Sequence, residues 1–149
     1  MKTGKRIIAL ALLVVTLVSV MSFAASASST DISFQGTTYM TNHFRTPLGK
    51  KDNNTASYLY ITDASELYTF VREIACQSNG TGNLICTYSD GSPTMDVVCR
   101  RGVKYNIYND VYELGYRYAK LSFMPMYENS SDVKGKWSAD SVGTYNPAT

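Results

Sequence analysis

Asp63-Ala64-Ser65-Glu66-Leu67-Tyr68-Thr69-Phe70-Val71-Arg72-Glu73-Ile74-Ala75-Cys76-Gln77 decides the fold, because its residues suit a helix and a strand at once. Asp63 and Glu66 have the spacing of a capping box. Leu67, Phe70, Val71, Ile74 and Ala75 recur at i, i+3, i+4, i+7 and i+8, one face of a helix that Asn79-Gly80 would stop. Read that way, the chain is an α+β protein with a helix at about residues 64–77. Against this, Tyr68, Thr69, Phe70, Val71 and Ile74 are strand formers, and Ser78-Asn79-Gly80-Thr81-Gly82 follows them as a turn. The neighbouring segments tip the balance to a strand.

Upstream, Tyr58 and Tyr60 alternate with Leu59 and Ile61, a period-two strand with one aromatic face. Downstream, Leu84 to Ser89 and Met95 to Arg100 form a hairpin about Asp90-Gly91-Ser92-Pro93, and Val103, Tyr105 and Ile107 alternate after Gly102. Asn109-Asp110 turns the chain, Gly115 to Phe123 alternates again, and a short strand around Val133 to Trp137 closes it. Seven or eight short strands at regular spacing imply an all-β chain, a single antiparallel β-sandwich over residues 56–149. Residues 28–55 read as an N-terminal edge strand, around Ile32 and Phe34, followed by an irregular loop through Pro47 to Asn54. On this reading Asp63 and Glu66 form a cap, Arg72 and Glu73 are exposed, and Asp90 and Asp110 form turns.

Residues 1–27 read as a secretory signal peptide. Lys2, Lys5 and Arg6 precede an uncharged run from Ile7 to Met21, and Ala25-Ser26-Ala27 offers the small-x-small pattern of cleavage before Ser28. The run is short for a bilayer span, no second apolar run follows, and stable membrane insertion after cleavage is not expected. The predicted product is secreted, at or outside the cell surface. The formal net charge of +2 comes from this leader, since all acidic residues lie beyond it. With no dense basic face, nucleic acid is not an expected partner.

Cys76, Cys86 and Cys99 therefore meet an oxidising compartment. If Asp90 pairs with Met95, the same register sets Cys86 opposite Cys99 at a separation a disulfide can close. Cys76 with Cys86 is the alternative, and a leftover thiol allows a covalent dimer. The spacings fit no tetrahedral metal site, and no cofactor is implied. His43, the only histidine, sits in an irregular segment with no nucleophile elbow nearby, no carboxylate pair is marked by spacing, and no phosphate loop appears. The chain is therefore read as non-enzymatic, a small hydrolase being the remote alternative. Asn53, Asn79 and Asn129 head glycosylation sequons that matter only in a eukaryotic secretory pathway.

The functional lead is tyrosine, of which there are 12 against 1 tryptophan. Tyr58, Tyr60, Tyr116 and Tyr118 point away from the apolar faces of their strands, and if those strands are neighbours they form an exposed stripe. Such a stripe could stack on a glycan or cell-wall component or anchor a protein; cross-strand pairing that only stabilises a wet face is the structural alternative. Trp137 is expected to plug one end of the core, with Asp140 or Ser141 capping the turn after it.

The closing Gly135-Lys136-Trp137-Ser138-Ala139-Asp140-Ser141, with Gly115-Tyr116-Arg117-Tyr118-Ala119-Lys120-Leu121 upstream, resembles a group of small uncharacterised exported proteins of Gram-positive bacteria. These share a signal peptide, a similar mature length and a closing Gly-x-Trp-Ser-x-Asp-Ser, with Pro where this chain has Ala139. The resemblance implies a small β-rich exported domain and brings no catalytic residues. Two functions follow as expectations: a surface-interaction module that binds through tyrosines, or a secreted bacteriocin-like antagonist or effector.

Overall fold

The computed structural model describes residues 30–84, 86–87 and 92–149, so the signal-peptide reading, with Ala25, Ala27 and Ser28, and the turn residue Asp90 lie outside the described residues. The described chain is all β. Its strands are β1 (Ile32–Tyr39), β2 (Phe44–Arg45), β3 (Gly49–Lys50), β4 (Ser57–Ala64), β5 (Tyr68–Cys76), β6 (Gly82–Leu84) and β7 (Cys86–Thr87). They continue with β8 (Pro93–Thr94), β9 (Val97–Arg100), β10 (Lys104–Ile107), β11 (Tyr118–Pro125), β12 (Ser130–Ser138) and β13 (Asn146–Pro147). One sheet runs β1-β12-β4-β10-β13, the other runs β2-β11-β5-β6 with β3 on β11 and β9 on β5, and β7 pairs with β8 alone. All pairings are antiparallel except β10 with β13, which is parallel.

Residues 68–76 form a strand, and the helical alternative is overturned. Pairing with both β11 and β9 buries the alternate residues Val71, Glu73 and Ala75 completely, whereas a helix would have turned Glu73 away from the other two. Glu66 therefore caps no helix. Its carboxylate instead accepts the backbone N–H groups of Met126 at 2.7 Å, Tyr127 at 3.1 Å and Glu128 at 2.6 Å, holding the turn that follows β11.

The core lies between the sheets. Phe34, Leu59, Ile61, Val133 and Trp137 from one meet Val71, Val97, Leu121 and Phe123 from the other. The Phe34 and Phe123 rings meet across the interior with centroids 5.0 Å apart. β1 is an edge strand as expected, and the segment after it, expected to be irregular, holds the two short strands β2 and β3. All eight residues of β1 pair with β12, and β2 and β3 pair with β11.

The expected hairpin register is corrected. Cys86 stands opposite Thr94, while β9 leaves that hairpin and lies on β5 with Cys99 opposite Thr69. Val97 and Cys99 are buried by this move, at 1% and 0% exposure, and apolar burial outweighs a local hairpin. Cys86 is thus not set across from Cys99. The alternative partner, Cys76, is a free buried thiol opposite Gly82. Since Cys76 and Cys99 are both sealed in the core, neither is presented for a covalent dimer.

Candidate functional site

On β4, Leu59 and Ile61 fill the core, so alternation turns Tyr58 and Tyr60 to the outer face of the five-stranded sheet. The register places Lys104 of β10 on one side of Tyr60 and Lys136 of β12 on the other. The Lys104 ammonium lies 5.7 Å from the Tyr60 ring centre and 5.9 Å from that of Tyr145, within cation–π range. Tyr145 in turn packs on Tyr58, ring centroids 4.9 Å apart and planes inclined by 47°. Asp31, Tyr58, Lys104, Val142 and Tyr145 line a recess of about 150 Å³. Burial first, and then the negative charge of Asp31, push the Tyr58 phenol above its ordinary value.

Tyr116 and Tyr118 do not join this group. Tyr118 begins β11, in the other sheet, while Tyr116 packs against the core and its hydroxyl accepts the Asn83 side-chain N–H at 3.1 Å. The four-tyrosine stripe is therefore corrected to two tyrosines of β4 joined by Tyr145. Period two assigns a residue to a face of its sheet, but it does not say which strands are neighbours. Tyr145 lies between β12 and β13 in a segment without alternation, and no sequence signal singled it out.

The residues that bring Tyr145 to Tyr58 belong to the closing motif. A Cβ on Gly135 would stand 2.2 Å from the Tyr60 carbonyl oxygen, so only glycine fits beside the register shift between Lys134 and Gly135. Trp137 is fully buried in the core, as expected. Ser138 donates its hydroxyl to the Asp140 carbonyl at 2.5 Å. Ser141 donates to the Asn106 side-chain oxygen at 2.8 Å and to the Gly143 carbonyl at 3.1 Å. Asp140 accepts the Asp52 backbone N–H at 2.8 Å. The turn after β12 is thus tied to β10 and to the loop after β3.

Behind this turn lies a buried polar cluster. Lys51 is 0% exposed, and its ammonium donates to the carbonyls of Ala139, at 2.7 Å, and Thr55, while standing 3.4 Å from Asp140 Oδ1. Glu73, expected at an exposed position, is also 0% exposed. Ser57 donates to its Oε1 at 2.6 Å and Asn109 to its Oε2 at 3.1 Å. Burial raises the Glu73 carboxyl to about 7, opposed by the Lys51 charge and the Ser57 hydrogen bond. Such an acid could trade a proton near neutrality, and it is sealed between the sheets. Arg72, also expected to be exposed, is partly buried and forks onto Asp96, with Nη2 3.0 Å from Oδ2.

His43 is half-buried, its Nε2 3.3 Å from the Met40 carbonyl. Among the described residues no group of three or more His, Cys, Asp or Glu side chains could hold a metal ion.

Two β-sheets closed over an interior ion cluster, with an aromatic recess on one outer face, define an all-β, sandwich-like domain. The chain belongs to the family described as "Protein of unknown function (DUF2712)", whose model matches residues 20–141. No curated protein and no solved structure matches the chain.

Proposed function

We propose that the chain is an exported, non-enzymatic binding module that takes a cell-wall or surface glycan against the tyrosine recess of the five-stranded sheet. The observation that carries the reading is the packing of Tyr145 on Tyr58, with the Lys104 ammonium near the rings of both Tyr60 and Tyr145. Tyrosine rings present a broad apolar face for a sugar ring at small entropic cost, and the flanking lysines can donate to its hydroxyls. The leader-like residues 1–27, and the resemblance of the closing residues 135–141 to those of exported Gram-positive proteins, support delivery to the cell exterior.

The test is a glycan array probed with the chain from Ser28 onward. Selective binding that Tyr60→Ala/Tyr145→Ala abolishes and Tyr118→Ala leaves intact supports the reading. Binding to no glycan, or equal binding by the double variant, overturns it.

A further inference from the structure

The opposite outer face, that of the six-stranded sheet, carries a cationic cleft. Val71, Ala75, Ala119, Leu121 and Phe123 point into the core, so Arg72 of β5 and Lys120 and Ser122 of β11 emerge on the far side. On β2, Phe44 packs on Phe34 and Phe123, and Arg45 emerges with them. Ser122 pairs with Arg45 on one side and with Arg72 on the other, one row across three strands. With strands about 4.8 Å apart and a rise of about 3.4 Å per residue, the two arginine Cα atoms stand about 10 Å apart and Lys120 about 7 Å along. Side chains of that length can close on one small group between them.

A cavity of about 260 Å³ opens at this place, lined by His43, Arg45, Arg72, Thr81, Lys120 and Ser122 among others. It adjoins a wider hollow of about 540 Å³ against the same His43, Arg45 and Arg72. Asp96 orients the Arg72 guanidinium and offsets one positive charge. Lys120 Nζ lies 3.4 Å from the Gly80 carbonyl at the lip, where a Cβ on Gly80 would stand 2.7 Å from it. Three cations against one carboxylate leave an excess of positive charge in a concave site.

We propose that this cleft binds a phosphate or sulfate group, with Arg45 and Arg72 supplying guanidinium donors, Lys120 an ammonium and Ser122 a hydroxyl. Donors approaching from three strands suit the tetrahedral arrangement of such an oxyanion better than the planar fork of a carboxylate. The site lies on the other sheet from the tyrosine recess, so either can fail alone.

The test is an NMR titration of the chain from Ser28 onward with inorganic phosphate, sulfate and acetate at constant ionic strength. Saturable shifts at Arg45, Thr81, Lys120 and Ser122 with the first two anions are expected. Arg45→Gln and Lys120→Gln should each weaken binding roughly tenfold with an unchanged unfolding midpoint, and Lys104→Gln should leave it unaltered. A parallel arm with a soluble polyol-phosphate polymer identifies the source: tighter binding than inorganic phosphate assigns the group to a polymer, the reverse to a free anion, and both support the site. Linear shifts spread over the surface, equal binding by Arg45→Gln, or acetate binding as tightly as phosphate overturns it.

Discussion

The Ser57 hydroxyl on β4 donates a 2.6 Å hydrogen bond to the Glu73 carboxylate on β5, so a buried acid ties the two sheets together. Asn109 donates to the other carboxylate oxygen, and the Lys51 charge acts on both Glu73 and Asp140. The cluster joins the interior to the turn that carries Tyr145.

The acid makes stability depend on pH. Its carboxyl ionises near 4.5 when free and near 7 in the fold, so below pH 4.5 both states are protonated and the group contributes no pH dependence. As pH rises toward 7 the unfolded state releases its proton first, and stability falls by up to about 3 kcal/mol before levelling. Urea unfolding at pH 5 and pH 8 should show the wild type losing ground to Glu73→Gln at the higher pH. A difference that does not change with pH contradicts the assignment.

Removing the buried ammonium should be more damaging. Lys51→Met leaves the Asp140 side chain buried without its partner, a loss of about 3–5 kcal/mol. Lys51→Met/Asp140→Asn should recover part of it, and a double-mutant cycle from urea midpoints measures the coupling. Additive losses would mean that the pair does not act as one.

Glu66→Ala removes the acceptor of three backbone N–H groups in the turn after β11. The expected cost is about 1–3 kcal/mol, with faster hydrogen exchange confined to Met126, Tyr127 and Glu128. Unchanged exchange there would show that the turn stands without the carboxylate.

Gly49 lies under the buried indole: a Cβ there would be 2.7 Å from Trp137 Cη2. Gly49→Ala should destabilise by about 1–3 kcal/mol through overpacking and alter the Trp137 fluorescence. Wild-type stability would show that the ring has room to shift.

The alternation of Tyr58 to Ile61 and of Ala119 to Phe123 was enough to read an all-β chain, because burial of one face imposes period two on any strand. The same rule could have placed Glu73 inside. As a strand residue it shares a face with Val71 and Ala75, whereas the helical register turns it outward; its charge masked that consequence. Lys51 had no such signal, lying in a loop next to another lysine. Cys86 was misplaced because a local hairpin was preferred to the long-range pairing of β9 with β5, and Tyr116 because a face was read as a neighbourhood.

The central claim is that the recess lined by Tyr58 and Tyr145, with Tyr60 beside it across Lys104, binds a wall glycan, and co-sedimentation with isolated Gram-positive cell walls tests it most directly. The chain from Ser28 onward should sediment saturably, and Tyr60→Ala/Tyr145→Ala, folded with an unchanged unfolding midpoint, should remain in the supernatant. Sedimentation of that variant at wild-type affinity would contradict the account.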